Sequence, residues 1–350
     1  MALHFPREGR SLRRLVWSGD DNFRIETEAE PHSPPERHLL LRVRAVGICG
    51  TDIHILRGDL PGARPPLVLG HEICGEVYAV GDQVSRLKVG DRVTVDSVVG
   101  CGHCYFCRKG SKQFCKTGFE FGINRDGGCQ DFLTVPEENA FHISDRISFE
   151  EGAILDMEVY SALNRCGVRA GDVALVVGDG PAGLIACQLL RHMGASKIIL
   201  SGQSPSRIMK ARQLGLAHRV IDSRCEDLRV AIREETDDLG ANIAVDCAGT
   251  PRSLKDTFRS VIAGGTVLLY AVYAQGISDF DVNQIVLQDL RVFGALSDRH
   301  GWESIIELVE RGILQLNSLI THTFSLEQAS EAFESVRNRN DRVLKAVFVL

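Results

Sequence analysis

Short apolar runs separated by glycine and proline occupy residues 39–95 of the chain. Their sequences are LLLRVRAVGICG, PPLVLGHEICGEVYAVG and KVGDRVTVD. Apolar runs of this kind, bounded by turn-forming residues, are typical of β-strands. We therefore predict a β-rich domain in this part of the chain.

The pattern changes after about Leu155, where apolar runs begin to alternate with amphipathic segments. VALVV is followed by GDGPAG and LIACQLLRHM, and KIIL is followed by PSRIMKARQLG. Further buried strands are predicted at Ile243–Asp246, Thr266–Tyr270 and Val292–Leu296. Strands that alternate with helices form a parallel, doubly wound sheet with helices on its faces. We therefore predict an α/β fold for this second domain.

The C-terminal part of the chain continues with two amphipathic helices and a closing strand. These elements are predicted at Glu303–Glu310, Leu326–Arg337 and Lys345–Leu350. Earlier in the chain, a Cys- and Gly-rich stretch between Gly100 and Gly128 shows little periodicity. Because this stretch has no apolar face to bury, we expect an excursion loop that is not held by hydrophobic packing.

The composition fits two globular domains and excludes several classes of protein. The chain has 350 residues, of which 44% are hydrophobic and 25% charged, and this is not the balance of a disordered or fibrous protein. Its net charge is -6 and no basic stripe could follow a phosphate backbone, so we expect no nucleic-acid partner.

The sequence also predicts no membrane association and no secretion. The most apolar stretch, Val261–Ala274, is too short to cross a bilayer and is interrupted by Gly264 and Gly265. Residues 1–17 contain several arginines and lack the continuous apolar core of a secretion signal. We therefore expect a cytoplasmic location. The 11 cysteines agree with this, since an odd number with four in a cluster suggests metal binding in a reducing compartment.

Four cysteines are clustered in the glycine-rich stretch. They are Cys101, Cys104, Cys107 and Cys115. Four thiolates in a short loop suit a tetrahedral Zn²⁺ ion, and such a closed site would brace the loop and not catalyse. His103, within the cluster, is interpreted as a bystander. The alternative is that the four cysteines are free and pack as small apolar side chains.

A second group of possible metal ligands is spread along the chain. Cys49 lies in GICGTDIH, His71 and Glu72 lie in GHEICGEV, and an acid-containing segment, LDMEVY, begins at Leu155. Cysteine, histidine and carboxylate make an open zinc site whose fourth position takes substrate or water. Taken alone, Cys49 or His71 is more often a core residue than a ligand, so spacing does not decide this site.

A glycine-rich loop follows the predicted strand VALVV. It contains Gly178, Asp179, Gly180, Pro181, Ala182 and Gly183. Between a strand and a helix, these glycines allow a tight turn and a close approach of the backbone to a pyrophosphate. We predict dinucleotide binding here, the alternative being a tight packing turn. We expect the Asp179 side chain to point away from the phosphates.

The end of the following strand indicates which dinucleotide binds. An acid that binds the adenosine ribose 2′-hydroxyl is expected there, but the chain has Ser201 and Gly202. No Asp or Glu occurs between Asp179 and Asp222. Without a carboxylate a 2′-phosphate is not repelled, and Arg207 could pair with it, so NADP is the favoured coenzyme. The alternative is that Arg207 is a solvated charge and that NAD binds without the acid.

Together, these motifs resemble the zinc-dependent medium-chain dehydrogenase/reductases, the superfamily of alcohol, polyol and threonine dehydrogenases. The resemblance extends from about Leu39 over nearly the whole remaining chain. It rests on GICGTDIH, GHEICGEVYAVG, the four-cysteine segment, RDGGCQDFL and VVGDGPAGL, which occur in the family order.

The resemblance implies an α/β protein of two domains. A GroES-like, β-rich catalytic domain would comprise residues 1–155 and 298–350 and include a structural zinc lobe at about 100–128. A Rossmann coenzyme domain, with a doubly wound parallel sheet, would comprise residues 156–297. Members of the family are dimers or tetramers, so a homodimer or homotetramer is expected. An exposed sheet edge at Val267–Val272 could pair with the second copy.

The resemblance also implies roles for individual residues. The implied ligands of a catalytic zinc are Cys49, His71, Asp156 and, as a nearby support or exchangeable fourth ligand, Glu72. Thr51 and His54 correspond to a relay that passes a proton through the nicotinamide ribose to solvent. Polyol members usually have Glu where this chain has Asp156, and alcohol dehydrogenases have Cys. In this respect the chain resembles bacterial NADP-dependent secondary-alcohol dehydrogenases.

We expect a zinc-dependent oxidoreductase with two zinc ions per subunit and a small-molecule substrate. It would transfer a hydride between a secondary alcohol or polyol and NADP or NAD. A threonine-type amino-alcohol dehydrogenase is the alternative within the family. Glu158 could contact a substrate ammonium or hydroxyl group, compete with Asp156 as a ligand, or be solvated. A non-catalytic dinucleotide-sensing protein is the alternative from another class.

Overall fold

The computed structural model describes residues 12–28, 31–155, 157–273, 276–296, 301–338 and 342–350. Its contacts divide the chain into two compact units. The first unit takes its residues from Met1–Leu155, Trp302–Arg311 and Gln315–Leu350, and the second from Asp156–Gly301 and Gly312–Leu314. Asp156, an expected zinc ligand, lies outside the described residues.

The elements follow one another in a regular order. The strands are β1 (Leu12–Trp17), β2 (Phe23–Glu28), β3 (His38–Ile48), β4 (Leu67–Val68), β5 (Glu72–Val80), β6 (Arg92–Val95), β7 (Val98–Val99), β8 (Phe119–Glu120), β9 (Phe132–Pro136), β10 (Ala140–His142), β11 (Val173–Val177), β12 (Lys197–Gly202), β13 (Arg219–Asp222), β14 (Ala241–Asp246), β15 (Val261–Leu269), β16 (Arg291–Gly294), β17 (Ile320–Phe324) and β18 (Lys345–Val349). The α-helices are α1 (Gly50–Leu56), α2 (Tyr105–Arg108), α3 (Phe149–Ala153), α4 (Met157–Cys166), α5 (Pro181–His192), α6 (Pro205–Gln213), α7 (Leu228–Glu235), α8 (Pro251–Arg259), α9 (Asn283–Leu287), α10 (Trp302–Glu310) and α11 (Ala329–Arg337). Short 3₁₀ turns lie at Lys112–Phe114, Glu137–Asn139, Asn317–Leu319 and Leu326–Gln328.

The main sheet of the first unit is built around the long strand β3. Its strands lie in the order β10-β6-β5-β3-β18-β17, and β9 also pairs with β3. β9 pairs with the first half of β3, and β18 runs antiparallel to its second half, with Ala346 opposite Ile48. Leu39, Leu41 and Val43 of β3 are almost fully buried in the core. The C-terminal strand therefore lies beside the end of β3, where Cys49 follows.

The second unit contains a parallel sheet in the order β13-β12-β11-β14-β15-β16. Numbered within the unit, this is the strand order 3-2-1-4-5-6 of doubly wound sheets, and ligands bind where the order reverses, between the first and fourth strands. Leu175, Ile199 and Val245 on three neighbouring strands are fully buried, as expected for a parallel sheet covered on both faces. The predicted α/β fold class is confirmed.

Two details differ from the sequence-based expectations. Val267–Val272 is not a sheet edge, because β15 pairs with both β14 and β16 and the edge strand is β16. The helix expected over Leu326–Arg337 begins with the 3₁₀ turn Leu326–Gln328 and becomes α-helical only from Ala329. None of the described helices combines the length and apolar character needed to cross a membrane.

Candidate active site

Three of the predicted zinc ligands meet at one end of the main sheet in the first unit. Cys49 follows β3 and caps α1, and His71 and Glu72 lie at the start of β5. The Sγ of Cys49, a ring nitrogen of His71 and a carboxylate oxygen of Glu72 lie within 4.8 Å of one another. The structure therefore brings together residues that are far apart in sequence. It does not place Asp156, which lies outside the described part of the chain.

The strand register explains this convergence. Gly47 of β3 pairs with Glu72 of β5, so the end of one strand lies beside the start of the other. A Cβ atom at residue 47 would come within 1.8 Å of the Glu72 carboxylate. Only glycine at position 47 leaves room for the Glu72 side chain to lie across the strand.

Asp52 supports two of these ligands, and the sequence analysis missed it. It is 1% exposed, its Oδ2 accepts a hydrogen bond from the Cys49 amide at 2.8 Å, and its Oδ1 lies 3.5 Å from His71 Nδ1. Burial lowers the pKa of His71, but the Asp52 carboxylate and Cys49 raise it, and the net result is a pKa well above the usual value. A carboxylate beside a ligating histidine orients the ring and increases its basicity.

Lys345 is the second residue that the sequence analysis missed. Its Nζ donates to Glu72 Oε1 at 2.6 Å, and only 7% of Lys345 is exposed. Glu72 Oε2 is buried and has no hydrogen-bond partner among the described residues. A buried carboxylate oxygen without a donor, beside a thiol and an imidazole, fits a cation such as Zn²⁺.

Thr51 and His54, the expected relay residues, lie three positions apart on α1 and so on one side of the helix. The Thr51 Oγ1 is 3.7 Å from Cys49 Sγ. The His54 Nδ1 is 3.6 Å from Asp59 Oδ2, and 30% of the His54 side chain is exposed. The pair thus extends from the metal-ligand group towards solvent.

Glu120 is a third residue near the metal-ligand group that the sequence analysis missed. Its Oε1 accepts a hydrogen bond from Ser97 Oγ at 3.2 Å. Burial raises the pKa of the Glu120 carboxyl, and its attraction to His71 works in the opposite direction. A carboxyl group therefore lies within electrostatic range of the metal-ligand group.

The four cysteines of the glycine-rich stretch also converge. Their sulfur atoms all lie within 4.8 Å of one another, with Cys101 and Cys107 at 4.0 Å and Cys104 and Cys115 at 3.8 Å. Four sulfurs around a tetrahedral zinc, each at about 2.3 Å from the metal, are separated by about 3.8 Å. The cluster therefore has the dimensions of a closed zinc site.

Backbone amides donate hydrogen bonds to Cys101 and Cys115 and lower the pKa of both thiols, whereas desolvation raises the pKa of Cys107 to about 11. The Cys101 amide donates to Cys115 Sγ at 3.4 Å, and this bond, with a smaller contribution from Thr117, lowers the pKa of Cys115 to about 6. The Cys104 amide donates to Cys101 Sγ in the same way. His103 is not part of the cluster, because its Nδ1 lies 2.8 Å from the carbonyl oxygen of Cys101.

The glycine-rich loop of the second unit connects β11 with α5. Gly178 has a φ of +124°, and a Cβ atom on Gly183 would lie 2.0 Å from the Gly178 carbonyl oxygen, so both positions require glycine. Gly180 caps the helix, with Pro181 in the first turn and Ala182 after it. Apart from Gly180 and its two chain neighbours, no atom of the described chain lies within 4 Å of a Cβ built on Gly180. This open space before a helix N-terminus fits the close approach of a pyrophosphate.

The remaining predicted coenzyme residues lie on the neighbouring strand and helix. Ser201 and Gly202 end β12, and Arg207 is in the first turn of α6. The Asp179 carboxylate reaches across to this strand end, where its Oδ2 accepts hydrogen bonds from the amides of Gln203 and Ser204.

Comparison with known proteins decides the family. Residues 35–145 match the family described as alcohol dehydrogenase GroES-like domain, and residues 181–311 match the family described as zinc-binding dehydrogenase. The chain belongs to the zinc-dependent medium-chain dehydrogenase/reductases. This dehydrogenase is therefore an enzyme and an oxidoreductase, as the sequence predicts.

Relatives of this dehydrogenase include enzymes with different substrates. It is 32% identical to L-threonine 3-dehydrogenase of Alteromonas mediterranea, over 85% of this chain and 88% of the relative. It is 30% identical to sorbitol dehydrogenase of Bacillus subtilis, over 97% of both chains. A solved structure from Sinorhizobium meliloti, described as a zinc-binding dehydrogenase bound to NADP, is 29% identical and covers 97% of this chain and 100% of its own, with a TM-score of 0.90.

Proposed function

We propose that this dehydrogenase transfers a hydride reversibly between a secondary alcohol or polyol and a nicotinamide coenzyme. The observation that carries the proposal is the convergence of Cys49, His71 and Glu72 within 4.8 Å. Thiolate, imidazole and carboxylate form open zinc sites that accept a substrate oxygen. The family and the NADP-bound structure from Sinorhizobium meliloti support this assignment.

Two zinc ions per subunit are proposed. Cys49 and His71 would hold the catalytic ion, with Glu72 as an exchangeable ligand and Asp156 as the third ligand expected from the sequence. The four-cysteine cluster would hold the second ion and brace its loop. When bound, the catalytic zinc supplies a Lewis acid that makes a substrate hydroxyl acidic, and the coenzyme supplies the hydride acceptor.

Thr51 and His54 are proposed to remove the hydroxyl proton. The Thr51 hydroxyl, close to Cys49, is placed to receive the proton beside the metal ligands. His54 is partly exposed and can pass the proton to solvent, because an imidazole has one ring nitrogen that accepts a proton and another that donates one. Asp59 Oδ2, 3.6 Å from His54 Nδ1, would help to orient the imidazole ring.

The second unit is proposed to be the coenzyme domain and the first unit the catalytic domain. In the coenzyme domain, the loop Gly178–Gly183 would bind the pyrophosphate at the start of α5, and Ser201, Gly202 and Arg207 would lie near the adenosine ribose. The missing acid on β12 and the NADP-bound relative favour NADP. The position of the Asp179 carboxylate, held at the end of β12 by the amides of Gln203 and Ser204, favours NAD.

An amino-alcohol substrate is the second candidate. The threonine dehydrogenase of Alteromonas mediterranea is as similar to this chain as the sorbitol enzyme is. The carboxyl group of Glu120, near His71, offers a partner for a substrate ammonium group. Glu158, at the start of α4, is the other acid proposed to contact substrate.

A homodimer, or a tetramer built from dimers, is proposed through the edge strand β16. The sheet ends at β16, and an edge strand can pair with the same strand of a second copy. Apolar side chains lie exposed nearby: Val282 is 62% exposed, Val286 70% and Leu287 83%. Light scattering after chromatography should give a dimer or tetramer, and a V286D/L287D variant should give a monomer.

The proposed function is tested by turnover in a substrate panel. Secondary alcohols, polyols and L-threonine are each supplied with NAD and with NADP, while the absorbance of the reduced nicotinamide is recorded and bound zinc is counted. We expect turnover with at least one substrate class and two zinc ions per subunit. Coenzyme binding with two zinc ions but no turnover on any substrate would favour the dinucleotide-sensing alternative.

A further inference from the structure

The Asp179 side chain occupies the end of β12, although Asp179 itself follows β11. The two strands are neighbours, with Val177 opposite Ser201. The Asp179 Oδ2 accepts hydrogen bonds from the Gln203 amide at 2.8 Å and from the Ser204 amide at 2.7 Å. Only 6% of Asp179 is exposed. The carboxylate is thus held in one orientation by the backbone that follows β12.

Gly202 has no side chain because Asp179 fills that space. A Cβ atom on Gly202 would lie 2.5 Å from Asp179 Oδ2 and 2.7 Å from Asp179 Cβ. In dinucleotide-binding sheets, the acid that binds the adenosine ribose extends from the end of the second strand. Here that strand is β12, and Asp179 brings a carboxylate to the same strand end from the glycine-rich loop.

The carboxylate retains the capacity to bind a ligand. An ionised carboxylate has about four lone-pair positions, and both hydrogen bonds to Asp179 in the described structure go to Oδ2. Oδ1 can therefore accept a hydrogen bond from a hydroxyl group. A 2′-phosphate in the same place would bring negative charge against the carboxylate, which disfavours binding.

Two arginines follow the ends of β12 and β13, namely Arg207 and Arg224. Arg224, after β13, makes a bidentate ion pair with Asp222, so its positive charge is already neutralised. Arg207 lies in the first turn of α6, beyond the two amides that hold Asp179. The three heavy atoms nearest to a Cβ built on Gly202 all belong to Asp179, so its carboxyl group is the acidic group that fills this position at the end of β12.

We propose that Asp179 accepts the adenosine ribose 2′-hydroxyl and makes this enzyme prefer NAD over NADP. This inference rests on the proposed binding of a nicotinamide coenzyme at the glycine-rich loop. It reverses the preference for NADP that is expected from the sequence, because that expectation depends only on the absence of an acid at the end of β12. The acid is present, but it comes from the loop before α5.

The test measures binding by isothermal titration calorimetry of the zinc-loaded enzyme, without turnover. The probes are NAD, NADP and two fragments without nicotinamide, 5′-ADP and adenosine 2′,5′-bisphosphate. The wild-type enzyme should bind NAD at least about tenfold more tightly than NADP, and 5′-ADP more tightly than the bisphosphate. Equal affinities, or tighter binding of the phosphorylated partner, would overturn the proposal for Asp179.

The Asp179→Asn variant removes the charge and keeps an oxygen that can accept from the two amides. Its preference for NAD over NADP should fall by about tenfold or more, through weaker NAD binding and stronger NADP binding. The matched control is Asp172→Asn, because Asp172 precedes β11 at the end of the strand opposite to Asp179, where it accepts a hydrogen bond from the Arg169 amide. The control should keep the wild-type preference. An unchanged preference in Asp179→Asn would contradict the proposal.

Two further results separate the possible failures. If Asp179→Asn does not fold, the smaller, uncharged Asp179→Ser variant takes its place. The affinities of the wild-type enzyme for the two fragments also test the role of Asp179 without any variant. If wild-type enzyme binds neither coenzyme nor fragment, the proposed coenzyme site and the role of Asp179 both fail. If both coenzymes bind without preference for NAD, only the role of Asp179 fails.

Discussion

The two candidate zinc sites of the first unit are built in different ways. The four-cysteine cluster takes all its ligands from residues 101–115, and its supporting hydrogen bonds come from amides of the same segment. The Cys49 site takes its ligands from the ends of two strands and is supported by Asp52 and by Lys345, which is 273 residues away from Glu72. One site depends on local chain geometry, and the other depends on the folded sheet.

This difference predicts separate responses to substitution. The largest effect is expected for Cys49→Ala, which should remove the catalytic zinc and leave one zinc ion per subunit. Turnover should fall by about a thousandfold or more, because a Lewis acid contributes several kcal/mol to catalysis. Steady-state kinetics and metal analysis would show both effects. Cys225→Ala, at an exposed cysteine outside both sites, is the control and should keep two zinc ions.

The next largest effect is expected at Lys345. Lys345→Met should leave the partly buried Glu72 carboxylate without its ammonium partner, and loss of one partner of an ion pair costs at most about 3–5 kcal/mol when the pair is fully buried. Chemical denaturation should show a correspondingly lower free energy of unfolding. A Glu72→Gln/Lys345→Met double variant should recover part of the loss. If the double variant were as unstable as the sum of the single variants, the two residues would not be coupled.

Cys107→Ser, in the four-cysteine cluster, should have an intermediate effect on stability. Its effect on the rate of turnover should be small. The bound zinc should fall to one ion per subunit, and Tm should decrease by about 5 °C or more as the loop loses its brace. Limited proteolysis should cut within residues 100–128. Turnover per folded molecule should stay within a few fold of wild type. A loss of turnover as large as that of Cys49→Ala would mean that the two sites are not independent.

The smallest effect is expected for Asp52→Asn. This variant keeps the size of the side chain and an oxygen for the Cys49 amide but removes the charge beside His71. Zinc affinity at the catalytic site should fall by about tenfold, within the range for partners of metal-ligating histidines. Competition with a chelator would measure this loss. The four-cysteine cluster should keep its affinity, because Asp52 is not among its contacts in the described structure.

The same difference explains what could be predicted from the sequence. The cluster and the glycine-rich loop were predicted because their residues are close in sequence and their spacing has a direct physical meaning. Cys49 and His71 were identified by resemblance and not by spacing. Asp52 is three residues after Cys49, at a helix-capping position, so its capping role was detectable. Lys345 carries no local signal, because only the pairing of β18 with β3 brings it to Glu72.

Asp179 shows a further limit of sequence patterns. The fingerprint for ribose recognition assigns the acid to a fixed distance along the chain, whereas recognition depends on where a carboxylate lies in space. The sequence pattern at Gly202 indicates only that no acid is present there, but in the structure Gly202 makes room for the Asp179 side chain from the loop after the adjacent strand β11. A pattern that follows one segment cannot represent such a compensation between two segments.

The ion pair between Lys345 and Glu72 also sets the order of events during synthesis. Glu72 emerges from the ribosome long before β18, so its carboxylate cannot pair with Lys345 while the residues of the second unit are being made. The metal-ligand group is completed only when the strand containing Lys345 leaves the exit tunnel and pairs with β3. A chain that terminated before β18 could contain every zinc ligand considered above and still lack a finished active site.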